Sequence, residues 1–279
     1  MIVLSAYTLH PALEARQARL TRLELTPDLS LTRCEAALDP SGVHFPNGEI
    51  LSWERVETVC ASDSGCFLLE NGAAEKIQAF STDTERVYSL YPTHGAPTML
   101  LSGLPMHRIK GVDPHLDTLN KIKTIRPLVG RVLDTATGLG YTAIQAARTA
   151  ELVTTIELDP AVLTIARRNP WSQELFYSPR ITQLIGDSFD QVAQFTDHTF
   201  SRILHDPPMF SLAGDLYSGE FYRQLYRILK NTGRLFHYIG DLESSHGRRV
   251  ARGAVLRLRE AGFKNITYRN DAFGVVAYK

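Results

Sequence analysis

Cysteine is scarce in this sequence. Cys34, Cys60 and Cys66 are the only three in 279 residues. The set is odd in number and lacks metal-ligand spacing. That excludes a disulfide framework and points to a reducing, cytoplasmic compartment. No apolar run approaches the ~20 residues that cross a bilayer, so no membrane partner is expected. The start, Met1-Ile2-Val3-Leu4-Ser5-Ala6-Tyr7, has no basic region followed by a long apolar stretch, and no secretory signal is expected. No group of His, Cys, Asp and Glu is spaced as ligands, so no metal is expected. Internal repeats and low-complexity tracts are also missing.

Net charge is missing as well, with 30 Lys+Arg against 30 Asp+Glu, but only on average. Residues 1–105 hold 7 basic and 13 acidic residues, a net of −6, which leaves +6 for residues 106–279. That asymmetry fits two regions with different tasks. A net of +6 is mild beside dedicated nucleic-acid binders, so it does not require a nucleic-acid partner.

The first region, 1–105, reads as a small β-rich domain. Short apolar or alternating runs such as Leu29–Leu38, Phe67–Leu69 and Val87–Leu90 are separated by Asn47-Gly48, Asn71-Gly72 and similar turn signals. Pro11–Leu23 is predicted as its helix. Beyond residue 106 the texture changes to alternating strands and helices at βαβ spacing. Strands are predicted at Val132-Leu133, Leu152–Ile156, Ile181–Ile185, Arg202–Leu204 and Arg234–Ile239, each followed by a helical segment. A final pair of strands, Asn265–Arg269 and Gly274–Tyr278, closes the chain. The expected fold class is therefore α/β: a Rossmann-like parallel sheet with an antiparallel C-terminal hairpin, preceded by the small β-rich domain.

The chemistry-bearing positions fall at the predicted strand ends. Asp134 ends the first strand, and Gly138-Leu139-Gly140 makes the turn into a helix that begins at Tyr141. Glycines there let the backbone approach a ligand closely. The turn alone suits a dinucleotide equally well. Asp134 would repel a pyrophosphate but suits a cationic amino-acid group. Glu157 ends the second strand, where two acceptor oxygens can take ribose hydroxyls. Asp187 follows the third strand and can accept from an adenine amine, with Ser188 as a helix cap. Three acids in succession match a ligand that carries an ammonium, a ribose and an adenine, as S-adenosyl-L-methionine does.

On these residues the region 106–279 resembles the class I S-adenosylmethionine-dependent methyltransferases. The resemblance implies a seven-stranded sheet with a reversed last strand and S-adenosyl-L-methionine as cofactor. It implies that Asp134, Gly138, Gly140, Tyr141, Glu157, Asp187 and Ser188 contact that cofactor. Met106-His107-Arg108, Gly138–Tyr141, His205–Pro208 and Asp215–Ser218 resemble a predicted archaeal and cyanobacterial methyltransferase group of undefined substrate.

His205-Asp206-Pro207-Pro208 follows the fourth strand, at the carboxyl edge where such sheets bind ligands. It is similar to the Asn/Asp-Pro-Pro-aromatic motif of amino-directed methyltransferases, in which the acid and a backbone carbonyl hold an NH₂ group. That makes Asp206, Pro207 and Pro208 the expected catalytic residues. Here Met209 stands in the aromatic position and Phe210 follows one residue later, which weakens the case for a stacked planar substrate. His205, Phe210, Tyr217 and His237 are the candidate substrate contacts.

The leading expectation is a methyltransferase acting on a nitrogen, with RNA and small amines as candidate acceptors. The alternatives are an aminopropyltransferase-like enzyme of polyamine synthesis, which shares the fold and a small β N-terminal domain, and a non-catalytic module that binds cofactor or RNA.

Overall fold

A computed structural model describes residues 1–279. The chain falls into two compact units, Met1–His115 with Ala161–Gln173, and Leu116–Pro160 with Glu174–Lys279.

The first unit carries three antiparallel sheets. Their strand sets are Ile2–Ser5, Cys66–Glu70 and Ala73–Lys76; Arg22–Leu25, Cys34–Asp39, Gly42–His44 and Ile50–Ser52; and Gln78–Ser81, Arg86–Tyr91, Thr98–Leu101 and Leu104–Pro105. The helices Ala6–Gln17 and Trp53–Cys60 pack with the first two sheets around Leu4, Leu9, Val43, Leu51 and Val56. The helix expected over 11–23 thus begins five residues earlier. The Ser5 backbone N–H donates to Thr8 Oγ1 at 3.0 Å and starts it. Pro11 lies inside it and withholds a donor from the carbonyl of exposed Tyr7, which water can reach.

The second unit is built on strands β1 (Arg131–Asp134), β2 (Leu152–Glu157), β3 (Ile181–Ile185), β4 (Phe200–His205), β5 (Leu229–Tyr238), β6 (Lys264–Arg269) and β7 (Gly274–Tyr278). They form one seven-stranded sheet in the order β3-β2-β1-β4-β5-β7-β6. Only β7 runs against its neighbours, as the terminal hairpin predicted. The helices from residue 114 onward are α1 (Pro114–Thr124), α2 (Tyr141–Ala147), α3 (Pro160–Arg167), α4 (Gln173–Tyr177), α5 (Ser188–Gln194), α6 (Gly219–Ile228) and α7 (Ser245–Glu260), of which α3 belongs to the first unit. No helix is long and apolar enough to cross a membrane.

The central strands are buried on both faces, which is why Val132-Leu133 and Ile203-Leu204 read as unbroken apolar runs. Leu133, Ile203 and Leu235 lie side by side in the sheet register. They pack in one core with Phe221, Leu225 and Leu258 of α6 and α7. Each such side chain contributes ~1.5–3 kcal/mol when fully buried. The strand order reverses between β1 and β4, so their carboxyl ends, Asp134 and His205, open the crevice where ligands of such sheets bind.

Candidate active site

The first half of the site is the turn after β1. Gly140 has φ +77° and Gly138 φ +51°, a backbone that L side chains enter only at a cost. A side-chain carbon on Gly140 would meet Leu175 at 2.7 Å, whereas one on Gly138 would meet nothing within 4 Å. Gly140 is thus fixed by packing and conformation together. Gly138 borders open space, as a ligand cradle requires.

Asp134 is fully buried. Its Oδ2 accepts from Thr155 at 2.9 Å and from Thr142 at 3.1 Å. Thr155 gives its proton to Asp134, so Thr137 donates in the 2.7 Å contact between the two threonine hydroxyls. Asp134 Oδ1 is buried without a partner. Burial pushes the carboxyl up to about 8, against the pull of the threonine hydroxyls, and the charges of Asp206 and Glu157 push the same way. Glu157 accepts from the Gly138 N–H at 2.9 Å through Oε2 and from the Asp159 N–H at 3.1 Å through Oε1. Burial raises it to about 7. Asp187 is exposed, and its Oδ1 takes the Phe189 N–H at 2.8 Å. Asp187, not Ser188, therefore caps α5. Ser188 is buried and donates to the Thr135 carbonyl at 2.6 Å, which ties α5 to β1. Tyr141 is buried in the first turn of α2.

The second half follows β4. Asp206 Oδ2 accepts from Lys121 Nζ at 2.7 Å. The same ammonium lies 2.8 Å from Asp117 and 4.6 Å from the centre of the Tyr238 ring. Burial works against the charge on Lys121, but Asp206 and Asp117 outweigh it and hold the lysine protonated. The Asp206 carboxyl is raised by burial, with Lys121 opposing.

His205 and His237 sit beside each other in the β4–β5 register and are both fully buried. His205 Nε2 lies 2.9 Å from the Leu216 carbonyl, which can only accept, so this nitrogen carries the proton. Its Nδ1 then accepts from Thr135 Oγ1 at 2.7 Å. By the same logic His237 Nδ1 donates to the His205 carbonyl at 3.3 Å, and Nε2 accepts from Tyr222 at 2.8 Å. Burial holds both rings neutral, His205 down at about 3. All four ring nitrogens are engaged inside the protein. Neither histidine is a substrate contact in this arrangement; both support the loop. Tyr217 is likewise buried, and its hydroxyl donates to the Pro208 carbonyl at 3.1 Å. Pro207 is buried and Pro208 half-buried. Phe210 is half exposed, its ring 5.4 Å from that of Tyr217.

Asp117, Lys121 and Tyr238 are the residues that sequence reasoning missed. The signal available was the four-residue Asp117–Lys121 spacing, which puts both on one helix face.

No family model matches the chain. It is 42% identical over 237 residues to the "Uncharacterized protein MJ1233" of Methanocaldococcus jannaschii, with 84% of this chain and 80% of that protein aligned. The chain belongs to that protein's family. Two partial relatives carry a named activity. The first is "Polyamine aminopropyltransferase 2" of Streptomyces coelicolor, 29% identical over 126 residues, 43% of this chain and 22% of that one. The second is "Polyamine aminopropyltransferase" of Sulfolobus acidocaldarius, 33% identical over 105 residues, 35% of this chain and 34% of that one. Among solved structures, a spermidine synthase in complex with the transition-state analogue AdoDATO superposes with a TM-score of 0.58 at 18% identity, covering 72% of this chain and 71% of that one. Spermidine synthase from Thermotoga maritima gives 0.56 at 17%, covering 72% and 70%. These structures share the fold with this chain.

The comparisons overturn the expectation of a nitrogen-directed methyltransferase. The named relatives are aminopropyltransferases. The geometry gives no stacking platform in the motif's aromatic position either, since Met209 and Phe210 are both half exposed.

Proposed function

We propose that the chain transfers an aminopropyl group from a decarboxylated S-adenosylmethionine-type donor to an amine. The observation that carries this reading is the buried Asp134 oxygen without a partner, on a carboxyl that the charges of Asp206 and Glu157 also push toward its protonated form. Burial makes the ionised form of Asp134 costly unless a cation pairs with it. A cationic donor relieves that cost, whereas a ligand with its own carboxylate at that point would add to it. The similarity to two polyamine aminopropyltransferases supports the same choice.

In this reading Asp134 holds the ammonium end of the donor, Glu157 the ribose hydroxyls, and Asp187, through the oxygen not used for capping, the adenine amine. Gly138 gives the donor room. The donor supplies a carbon bound to a sulfonium sulfur, which leaves as a neutral thioether. Asp206 hydrogen-bonds the acceptor nitrogen, aims its lone pair and takes its proton. Burial has already raised the proton affinity of Asp206. The Pro207-Pro208 step stiffens the loop and offers no N–H to compete for that carboxylate. Alignment of this kind lowers a barrier by ~7–11 kcal/mol.

The test is incubation of the full chain with decarboxylated S-adenosylmethionine and a panel of amines, with detection of methylthioadenosine and the aminopropylated amine by mass spectrometry. Turnover is expected. Asp206→Asn should cut it by ~10²–10⁴-fold while donor affinity by calorimetry stays within about threefold. No turnover with any amine, or an undiminished rate in Asp206→Asn, refutes the proposal.

A further inference from the structure

The ion triad at Asp206 bears on which amine is accepted, and the argument rests on the aminopropyl reading. An enzyme that takes a diamine must stabilise two ammonium groups on one acceptor. The group that reacts needs an acceptor oxygen beside the donor. The distal one stays charged and needs buried carboxylates or aromatic faces. In this site such a place exists, but a side chain of the protein occupies it. Asp117 is fully buried on α1, one turn from Lys121. Lys121 Nζ bridges Asp117 and Asp206 at 2.8 and 2.7 Å and lies over Tyr238. The two carboxylates and the aromatic ring that would hold a distal ammonium are therefore already engaged.

The other side of the loop adds no compensating negative charge. Arg257 of α7 donates to the Tyr217 carbonyl at 2.8 Å and bears on the Tyr222 hydroxyl. Asp215 and Glu220, the acids that follow the loop, are exposed, where water and salt weaken their hold on a cation. We infer that Lys121 is a specificity-determining residue: it stands in the place of a substrate ammonium, and the acceptor is an amine with a single cationic centre.

The chemistry balances with such an acceptor. The neutral amine nitrogen forms a bond to the donor carbon, the C–S electron pair returns to sulfur, and the proton released from nitrogen passes to Asp206 and then to water. Lys121 keeps its proton throughout. It makes Asp206 hold one cation through Oδ2, leaving Oδ1 for the acceptor.

The experiment compares butylamine with 1,4-diaminobutane, which differ only in the second amine, using decarboxylated S-adenosylmethionine as donor. For the native chain kcat/KM is expected to be at least about tenfold higher for the monoamine. Lys121→Met removes the charge and keeps much of the stem. It is expected to raise the diamine-to-monoamine ratio of kcat/KM at least about tenfold, whatever change in rate the two amines share through Asp206. If Lys121→Met fails to fold, Lys121→Arg serves: it retains the cation and should retain the native preference. A native chain that uses the diamine as well as the monoamine overturns this inference and leaves the aminopropyl reading standing. A Lys121→Met variant that changes both amines alike also overturns it, since that is the signature of a purely structural lysine. Absence of turnover with both amines overturns the aminopropyl reading and this inference with it.

Discussion

Asp134→Asn isolates the energetic consequence of burying an acid with one oxygen unpartnered. In the folded chain burial lifts this carboxyl to about 8, the threonine hydroxyls notwithstanding. In the unfolded chain it titrates near ~3.9. Below that pH both states are protonated and the group is neutral to stability. Between ~3.9 and about 8 the unfolded chain releases the proton and the folded chain keeps it. Stability then falls by ~1.4 kcal/mol for each unit of rising pH. Above about 8 both states are ionised and the fall stops. Over the interval from pH ~5 to ~7.5 the native chain loses ~3 kcal/mol through this group.

Asparagine does not titrate, so the variant lacks that slope. Its amide oxygen can still accept from Thr142 and Thr155, while its NH₂ falls where Oδ1 has no partner. That leaves a buried donor unpaired, a cost of ~1–3 kcal/mol at every pH. Urea denaturation of both proteins at several pH values between 5 and 7.5 measures the gap, and titrations common to the two cancel. The gap should move in favour of the variant by ~3 kcal/mol across that range. The same substitution should weaken binding of a cationic donor by at least about tenfold, ~1.4 kcal/mol. Parallel stability curves would show that Asp134 does not have a raised proton affinity, and the charge argument for the donor would fall with it.

The turn and the histidine pair give two more tests. Gly140→Ala combines left-handed strain of ~1–2 kcal/mol with overpacking against Leu175 of ~1–3 kcal/mol, while Gly138→Ala meets only the strain because its side faces open space. Chemical denaturation should rank Gly140→Ala as the more damaging by at least ~1 kcal/mol, and equal losses would contradict the packing assigned to Leu175. Tyr222→Phe takes the hydroxyl donor from His237 Nε2 and should cost ~1–3 kcal/mol; a change below ~0.5 kcal/mol would mean the neutral tautomer assigned to His237 is wrong.

The parallel sheet was legible because buried strands must be contiguous apolar runs and the glycine turn punctuates them. Helix α1 was not, because Asp117 and Lys121 are charged residues pointing inward, against the ordinary placement of charge outside. The helix Trp53–Cys60 was hidden by its eight-residue length and by Val56, Thr58 and Val59, which favour strands. Within the site the acids could be found by residue type and strand-end position. Their partners could not, since Lys121 and Asp206 stand 85 residues apart and only the fold brings them together. Asp187 and Ser188 are both good caps, so sequence alone could not say which of them would cap α5. His205 was a candidate as part of the His205–Pro208 motif, and His237 because its apolar strand could face the site, although a histidine in such a strand is more often a satisfied core residue. Their pairing depends on the β4–β5 register, which a sequence does not display.

That register explains how one loop can be both firm and open. From the scaffold side, His205 Nε2 holds the Leu216 carbonyl, and Arg257 holds the Tyr217 carbonyl. Within the loop, the Tyr217 hydroxyl holds the Pro208 carbonyl. These bonds pin the segment at Pro208 and at Leu216-Tyr217 and leave Met209 and Phe210 half exposed between them. Asp206 and Pro207 therefore form a fixed floor, while the residues that differ most from the amino-directed motif lie on the rim. A change at the rim alters what can enter. A change in the Thr135–His205 or Tyr222–His237 contacts moves the floor itself, and with it the angle at which Asp206 meets a nitrogen. Neutral histidines suit that supporting task, because a ring held down at about 3 keeps its tautomer and its two hydrogen bonds at any pH where the acids at the crevice titrate.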